Sequence, residues 1–270
     1  MANAKRWAGR SLILLGEVGE GETLLQSALD AYAKLGFRKV GGLYLDLGSA
    51  RSARGDIAGA RDFFARALKQ FEEDQDEANI AITAGTLAEA EFHGGDPQAA
   101  VRRAQDALAA SHLAPAISVW IQSNMAAFLI ALGRFDEARQ CAYAALRNAL
   151  HLQLEFLIIV LLQHVAATLA LEPNAQPGPA YGEGLELAAQ LTGYVDSRIR
   201  EIGVTREFTE RQEYERILAA LTGALGVERL TELLADGAHL KEERAVDLAL
   251  SASLAHARAA APALALSDPR

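Results

Sequence analysis

Glycine returns along this chain at a nearly fixed interval. Gly16, Gly55, Gly95 and Gly133 each open a segment that closes on Ala-Leu, and they lie 39, 40 and 38 residues apart. The segments read GEVGEGETLLQSAL (16–29), GDIAGARDFFARAL (55–68), GDPQAAVRRAQDAL (95–108) and GRFDEARQCAYAAL (133–146). An acidic residue follows each glycine closely. One shared position holds Ala60, Ala100 and Ala138, with Gly21 there in the first segment. Such a period marks one supersecondary unit repeated and stacked, since a single copy cannot bury its own apolar face.

Each glycine joins two helical stretches. After Gly55, residues Ile57, Ala60, Phe63, Phe64, Ala67, Leu68 and Phe71 recur at three- and four-residue steps, which is one face of a helix. Before it, Leu43, Tyr44, Leu47, Gly48 and Ala50 form a second stripe. Asp56 and Asp96 stand where a carboxylate can accept the orphan N–H groups of the following helix. Pro97 takes the first helical position, where its missing N–H costs nothing. The unit is therefore helix, glycine turn, helix, then a polar connection such as EEDQDEA (72–78).

The repeat also explains a decoy. SLILLGEVGEGETLL (11–25) outlines a phosphate-binding loop through Gly16, Gly21 and Thr23. Its lysine position is Glu22, with Glu17 and Glu20 beside it, and three carboxylates repel a triphosphate. No alternation of strands and helices follows to build the parallel sheet such a loop needs.

The unit resembles the tetratricopeptide repeat. The motif's marked positions fall on Tyr44, Leu47, Gly48, Arg51, Gly55, Ala60, Phe64 and Ala67 in the second copy. In the third they fall on Ala84, Leu87, Ala88, Glu91, Gly95, Ala100, Ala104 and Ala107. In the fourth they are Gln122, Met125, Ala126, Leu129, Gly133, Ala138, Ala142 and Ala145. The small positions hold best, and the period exceeds the usual length of about 34 residues. The resemblance implies a groove lined by the first helix of each pair. Its candidate partner-binding residues are Arg6, Arg10, Ser49, Ser52, Glu89, Phe92, His93, Trp120 and Ser123. Phe92 and Trp120 fit either as groove anchors or as packing between helices. The lysine/asparagine clamp that such repeats use for peptide carboxylates is absent.

Past LEPNAQPGPAYGEG (171–184) the pattern changes. The segments AAQLTGYVDSR (188–198), REFTERQEYERIL (206–218), ALGVERLTELLADGA (224–238) and EERAVDLAL (242–250) resemble the end of the helical-repeat region in bacterial multidomain signalling-ATPase regulators. Those regulators are often fused to winged-helix, LuxR-type or cyclase modules. The resemblance implies a regulatory, cytoplasmic setting, with the chain an excised region or a stand-alone repeat protein. Thr209 and Gln212 have capping-box spacing, Tyr214, Ile217, Leu218 and Leu221 give an apolar stripe, and Glu210, Arg211, Glu213, Glu215 and Arg216 would form the polar outer face of a cap.

Composition bounds the chemistry. The net charge is −9 with no basic tract, which speaks against direct nucleic-acid binding. One cysteine, Cys141, precludes an intrachain disulfide and reads as a small buried residue. The N-terminus lacks a signal-peptide pattern. The apolar run from Phe156 is interrupted at Gln163 and His164, well short of the roughly 20 residues of a membrane span, and reads as a helix buried among neighbours. His93, His112, His151, His164, His239 and His256 form no paired zinc motif. His151 and Glu155 are four apart on an expected helix, too few ligands for a metal. The acidic cluster 72–77 lacks calcium-loop spacing.

The expectation is an all-α, tetratricopeptide-like right-handed helical-repeat solenoid of about 10–13 helices with a C-terminal helical cap. Repeats run over 1–170, a connection over 171–184, capping helices over 185–255 and a frayed tail over 256–270. The expected function is non-catalytic: binding a protein or peptide, without cofactor, metal, nucleic acid or membrane, and compatible with a homo-oligomer. The alternatives are a small-ligand or peptide-signal receptor that uses the groove as a pocket and, behind it, an enzyme.

Overall fold

The computed structural model describes residues 2–109, 113–172 and 179–260. Among them there are helices and turns and no strand. The helices are α1 (Ala2–Leu14), α2 (Val18–Lys34), α3 (Gly41–Ala53), α4 (Ile57–Glu73), α5 (Glu77–His93), α6 (Pro97–Leu108), α7 (Pro115–Ala131), α8 (Phe135–His151), α9 (Glu155–Ala170), α10 (Pro179–Ile202), α11 (Phe208–Leu225), α12 (Val227–Ala238) and α13 (Glu242–Ala260). They form two compact units, Met1–Leu132 and Gly133–Arg270. The architecture is the expected all-α helical repeat.

The turn glycines are a backbone requirement. Gly16, Gly55, Gly95 and Gly133 all have φ between +71° and +88°, where side-chain-bearing residues are disfavoured. At Gly55 the turn N–H bonds Ser52 O at 2.9 Å and the Asp56 N–H reaches back to Arg51 O at 3.0 Å. That pair of bonds closes the orphan carbonyls of α3 as a Schellman cap. Asp56 and Asp96 then accept from the N–H groups of Gly59 and Ala99, as their positions predict, and Asp76 does the same for Asn79. Pro97 opens α6.

In the first unit each helix packs on its chain neighbours, and the first helices of successive pairs also touch: α1 on α3, α3 on α5, α5 on α7. The small motif positions make this possible. Ala60, Ala67 and Ala100 are fully buried. A Cβ on Gly21 would lie 2.6 Å from Gly9 O, so α1 and α2 meet almost backbone to backbone. Phe64, also fully buried, lies over Gly48, with Leu87 and Ala90 completing its cluster.

The second unit departs from the regular pairing. In α9 every residue from Ile158 to Ala170 is buried, consistent with a helix packed by α8, α10, α11 and α13. No described helix is long and apolar enough to cross a membrane. α10 packs strongly on α12, at a crossing where Gly193 faces Leu234 O and Gly237 faces Gln190 O with no room for a Cβ.

Several boundaries differ from expectation. The polar connection after α4 is short, because Glu72 and Glu73 finish α4, Asp76 caps α5 and Glu77 begins it. His151 ends α8 and Glu155 begins α9, so they do not share a helix. Residues 179–184 of the expected connection belong to α10, 173–178 lie outside the described residues, and α13 extends to Ala260. His112 and 261–270 also lie outside them. The capping box does not form. Glu207 precedes α11 and Thr209 lies inside it, because the helix starts at Phe208.

Candidate functional site

All the candidate groove residues lie on α1, α3, α5 and α7, within the first unit. Contacts between successive first helices hold many of them. Arg6 Nε donates to Asp46 Oδ2 at 2.6 Å, and its guanidinium occupies the space beside Gly42. Burial raises the Asp46 carboxyl above its ordinary value, opposed by the hydrogen bond and charge of Arg6 and by Arg10. Further along, Asn124 Nδ2 donates to Glu89 Oε1 at 2.5 Å. The Phe92 ring stacks on Phe128 with centroids 4.9 Å apart. Trp120 lies against Gly85, whose missing side chain makes the space.

Phe92 and Trp120 are thus neither free anchors nor closed core. Both are half-buried, each fixed on one side by α5–α7 packing. His93, beside Phe92, is also half-buried, and burial lowers its pKa, favouring the neutral ring. Ser49 donates to Leu45 O, and Ser52 is half-buried. Ser123 is 1% exposed, and its Oγ has no hydrogen-bond partner among the described residues. It therefore presents nothing to a partner: its groove position is covered by neighbouring helices.

The sequence reading passed over Trp7. It is 56% exposed, and the guanidiniums of Arg6 and Arg10 lie 5.8 and 5.7 Å from its ring, within cation–π range. Arg10 is exposed. One turn of α1 therefore carries an aromatic side chain flanked by two cations. A cleft of about 540 Å³ lies between the start of α3 and the α4–α5 turn, lined by Lys39, Gly41, Gly42, Phe71, Asp74, Gln75, Asp76 and Glu77. It is open and polar, and no candidate groove residue lines it.

The second unit holds a polar cluster that the sequence reading also missed. His164 of α9 is fully buried, and its Nδ1 lies 2.9 Å from Glu213 Oε1 of α11. Gln163 Nε2 donates to the Glu210 carbonyl and to Glu213 Oε1. Gln163 Oε1 accepts from Arg206 Nε at 2.7 Å. Arg206 also pairs with Asp196 and covers the Tyr214 ring at 3.8 Å, while Tyr214 donates to Asp196 at 2.7 Å. Glu213, assigned by its sequence pattern to a polar outer face, is 4% exposed. The signal for this cluster was present: an adjacent Gln-His pair inside a helix buried on every side needs partners. Cys141, expected as a small buried residue, is half-buried, and burial pushes its thiol up to about 12.

The chain matches no protein-family model and no curated protein. Among solved structures it is similar to the crystal structure of nearly identical TPR-like repeats from Podosopora anserina, described as a kinesin light chain. Identity is 15%, the match covers 83% of this chain and 97% of that one, and the TM-score is 0.47. At that score the likeness adds nothing to the helix pairing seen in the chain itself.

Proposed function

We propose that this chain is a non-catalytic protein-interaction module that takes a protein or peptide partner on the first-helix face of its first unit. The observation that carries this reading is the exposed Trp7 between Arg6 and Arg10. The half-exposed Phe92 and Trp120 extend it along the same row of helices. Aromatic and arginine side chains supply most of the energy in protein interfaces, and anchors fixed in advance lose less freedom on binding. We further propose a regulatory, cytoplasmic role as the helical-repeat part of a bacterial signalling regulator. The resemblance of 188–198, 206–218, 224–238 and 242–250 supports that context.

The test is affinity capture followed by titration with each captured protein. Trp7→Ala and Arg10→Ala are the informative variants, because both side chains are exposed and their loss should leave the fold intact. Trp7→Ala should weaken binding at least tenfold, or about 1.4 kcal/mol. Arg10→Ala should weaken it more at low salt, since exposed charges are screened over about 10 Å at 0.1 M. Partners that bind folded variants at full affinity would remove the site from this face.

A further inference from the structure

α11 is fastened to the second unit in two ways. Ile217 and Leu221, both fully buried, hold its middle and C-terminal half. Its N-terminal half carries the polar contacts, through Glu213, Tyr214 and the Glu210 carbonyl. We propose that the buried His164–Glu213 pair is a proton-dependent latch that docks the N-terminal half of α11 onto α9 and loosens it as pH rises.

The geometry makes the pair the keystone of that contact. His164 is 0% exposed, and both Glu213 oxygens lie within 3.1 Å of Nδ1. Nε2 has no hydrogen-bond partner among the described residues, so no second group fixes the ring. The charges that bear on it are Glu213 and Glu210, both from α11. Asp196 of α10 is engaged by Arg206 and Tyr214 and is not among the groups acting on His164. α8 and α13, which also pack on α9, contribute no charge to it among the described residues. A protonated imidazole therefore faces carboxylates of one helix only. Its charge can hold that helix and no other.

Burial opposes a charged imidazole here, but the charge and hydrogen bond of Glu213, with Glu210 behind, outweigh it and raise His164 above its ordinary 6.5. Glu210 is raised as well, above 4.5. Burial is the main cause, opposed by the charge of His164, and Glu207 and Glu213 add to it. Its Oε2 is buried with no hydrogen-bond partner among the described residues. Both groups thus hold a proton more tightly when α11 is docked than when it is open. The His164 contribution is full below 6.5 and is lost as pH rises through its raised value. The Glu210 contribution is full below 4.5 and is lost as pH rises through its own raised value. The two act in the same direction, so docking tightens from alkaline to mildly acid pH.

Hydrogen exchange of the whole chain, corrected for intrinsic rates, tests this. Within the titration window the opening constant of residues 208–216 should rise about tenfold per pH unit for each linked proton. Residues 227–238, held by the α10–α12 crossing, should stay flat. His164→Gln should remove the His164 part of the pH dependence in 208–216, leaving only the part linked to Glu210, with 227–238 unchanged. If that variant does not fold, an NMR titration of the unaltered chain decides alone, with one imidazole keeping its proton above pH 6.5. Protection of 208–216 that tracks 227–238 across pH, or a His164 that titrates below 6.5, would overturn the latch.

Discussion

Gly48→Ala is the sharpest probe of how the helix pairs are registered. A methyl at Gly48 would stand 2.5 Å from Phe64 Cε1 and 2.6 Å from Cδ1. Ordinary carbon contacts begin near 3.5 Å, so the overlap is about 1 Å. The ring is 0% exposed and cannot swing into solvent. Alanine in a helix gains about 1 kcal/mol over glycine, whereas overpacking a tight site costs about 1–3 kcal/mol. The single variant should therefore lose up to about 2 kcal/mol, in spite of better helix propensity. Phe64→Ala alone should lose about 3–5 kcal/mol. With the ring gone, the methyl introduced by Gly48→Ala has room and only the propensity gain remains. The double variant should then be more stable than Phe64→Ala by about 1 kcal/mol, giving a coupling of about 1–3 kcal/mol. Both tryptophans, Trp7 and Trp120, lie in the first unit, so urea titration followed by tryptophan fluorescence reads that unit selectively. If Gly48→Ala changes stability equally with and without the Phe64 ring, the ring does not lie over Gly48 and the register is wrong.

Two further outcomes follow from local geometry. Asp76→Ala removes the acceptor for the Asn79 N–H and Nδ2 and should cost the first unit about 1 kcal/mol in the same titration. Cys141, whose thiol is pushed up to about 12, should resist iodoacetamide at neutral pH in the native chain and react on unfolding, as mass spectrometry would show.

The period was legible because the turn inside each pair forces φ positive, and three of the four segments then carry alanine where Gly21 stands in the first. The turn between pairs uses the same hydrogen-bond pattern without the same mark. Gly36 takes it with φ +70°, but Gln75 and Gln153 take it with φ +55° and +56°. At Gln75 the following N–H, of Asp76, still reaches back to Phe71 O. Glutamine in a left-handed turn leaves no sequence signal, so the polar run after α4 looked like a long connection when most of it is helix end. The register put the candidate residues on the first helices of the pairs, but it did not give their pairing. Glu89 accepts a hydrogen bond from Asn124, on the next first helix. Ser123, one residue before Asn124, is buried although its register position faces the groove.

Glu213 shows where a sequence pattern runs out and what could extend it. On α11 it sits among Glu210, Arg211, Glu215 and Arg216, and a charged run on a helix normally means a solvated face. The deciding fact lies 49 residues earlier, in α9. A helix buried on every side has no solvated face for Gln163 and His164, so whatever packs there must satisfy a carboxamide and an imidazole together. An acidic side chain can do both, accepting from the Gln163 amide while meeting His164 Nδ1, and Glu213 Oε1 does so in this fold. The polar residue that looked misplaced in α9 and the acid that looked ordinary in α11 are two halves of one constraint. The buried Gln163 and His164 are what draw Glu213 off the solvent face.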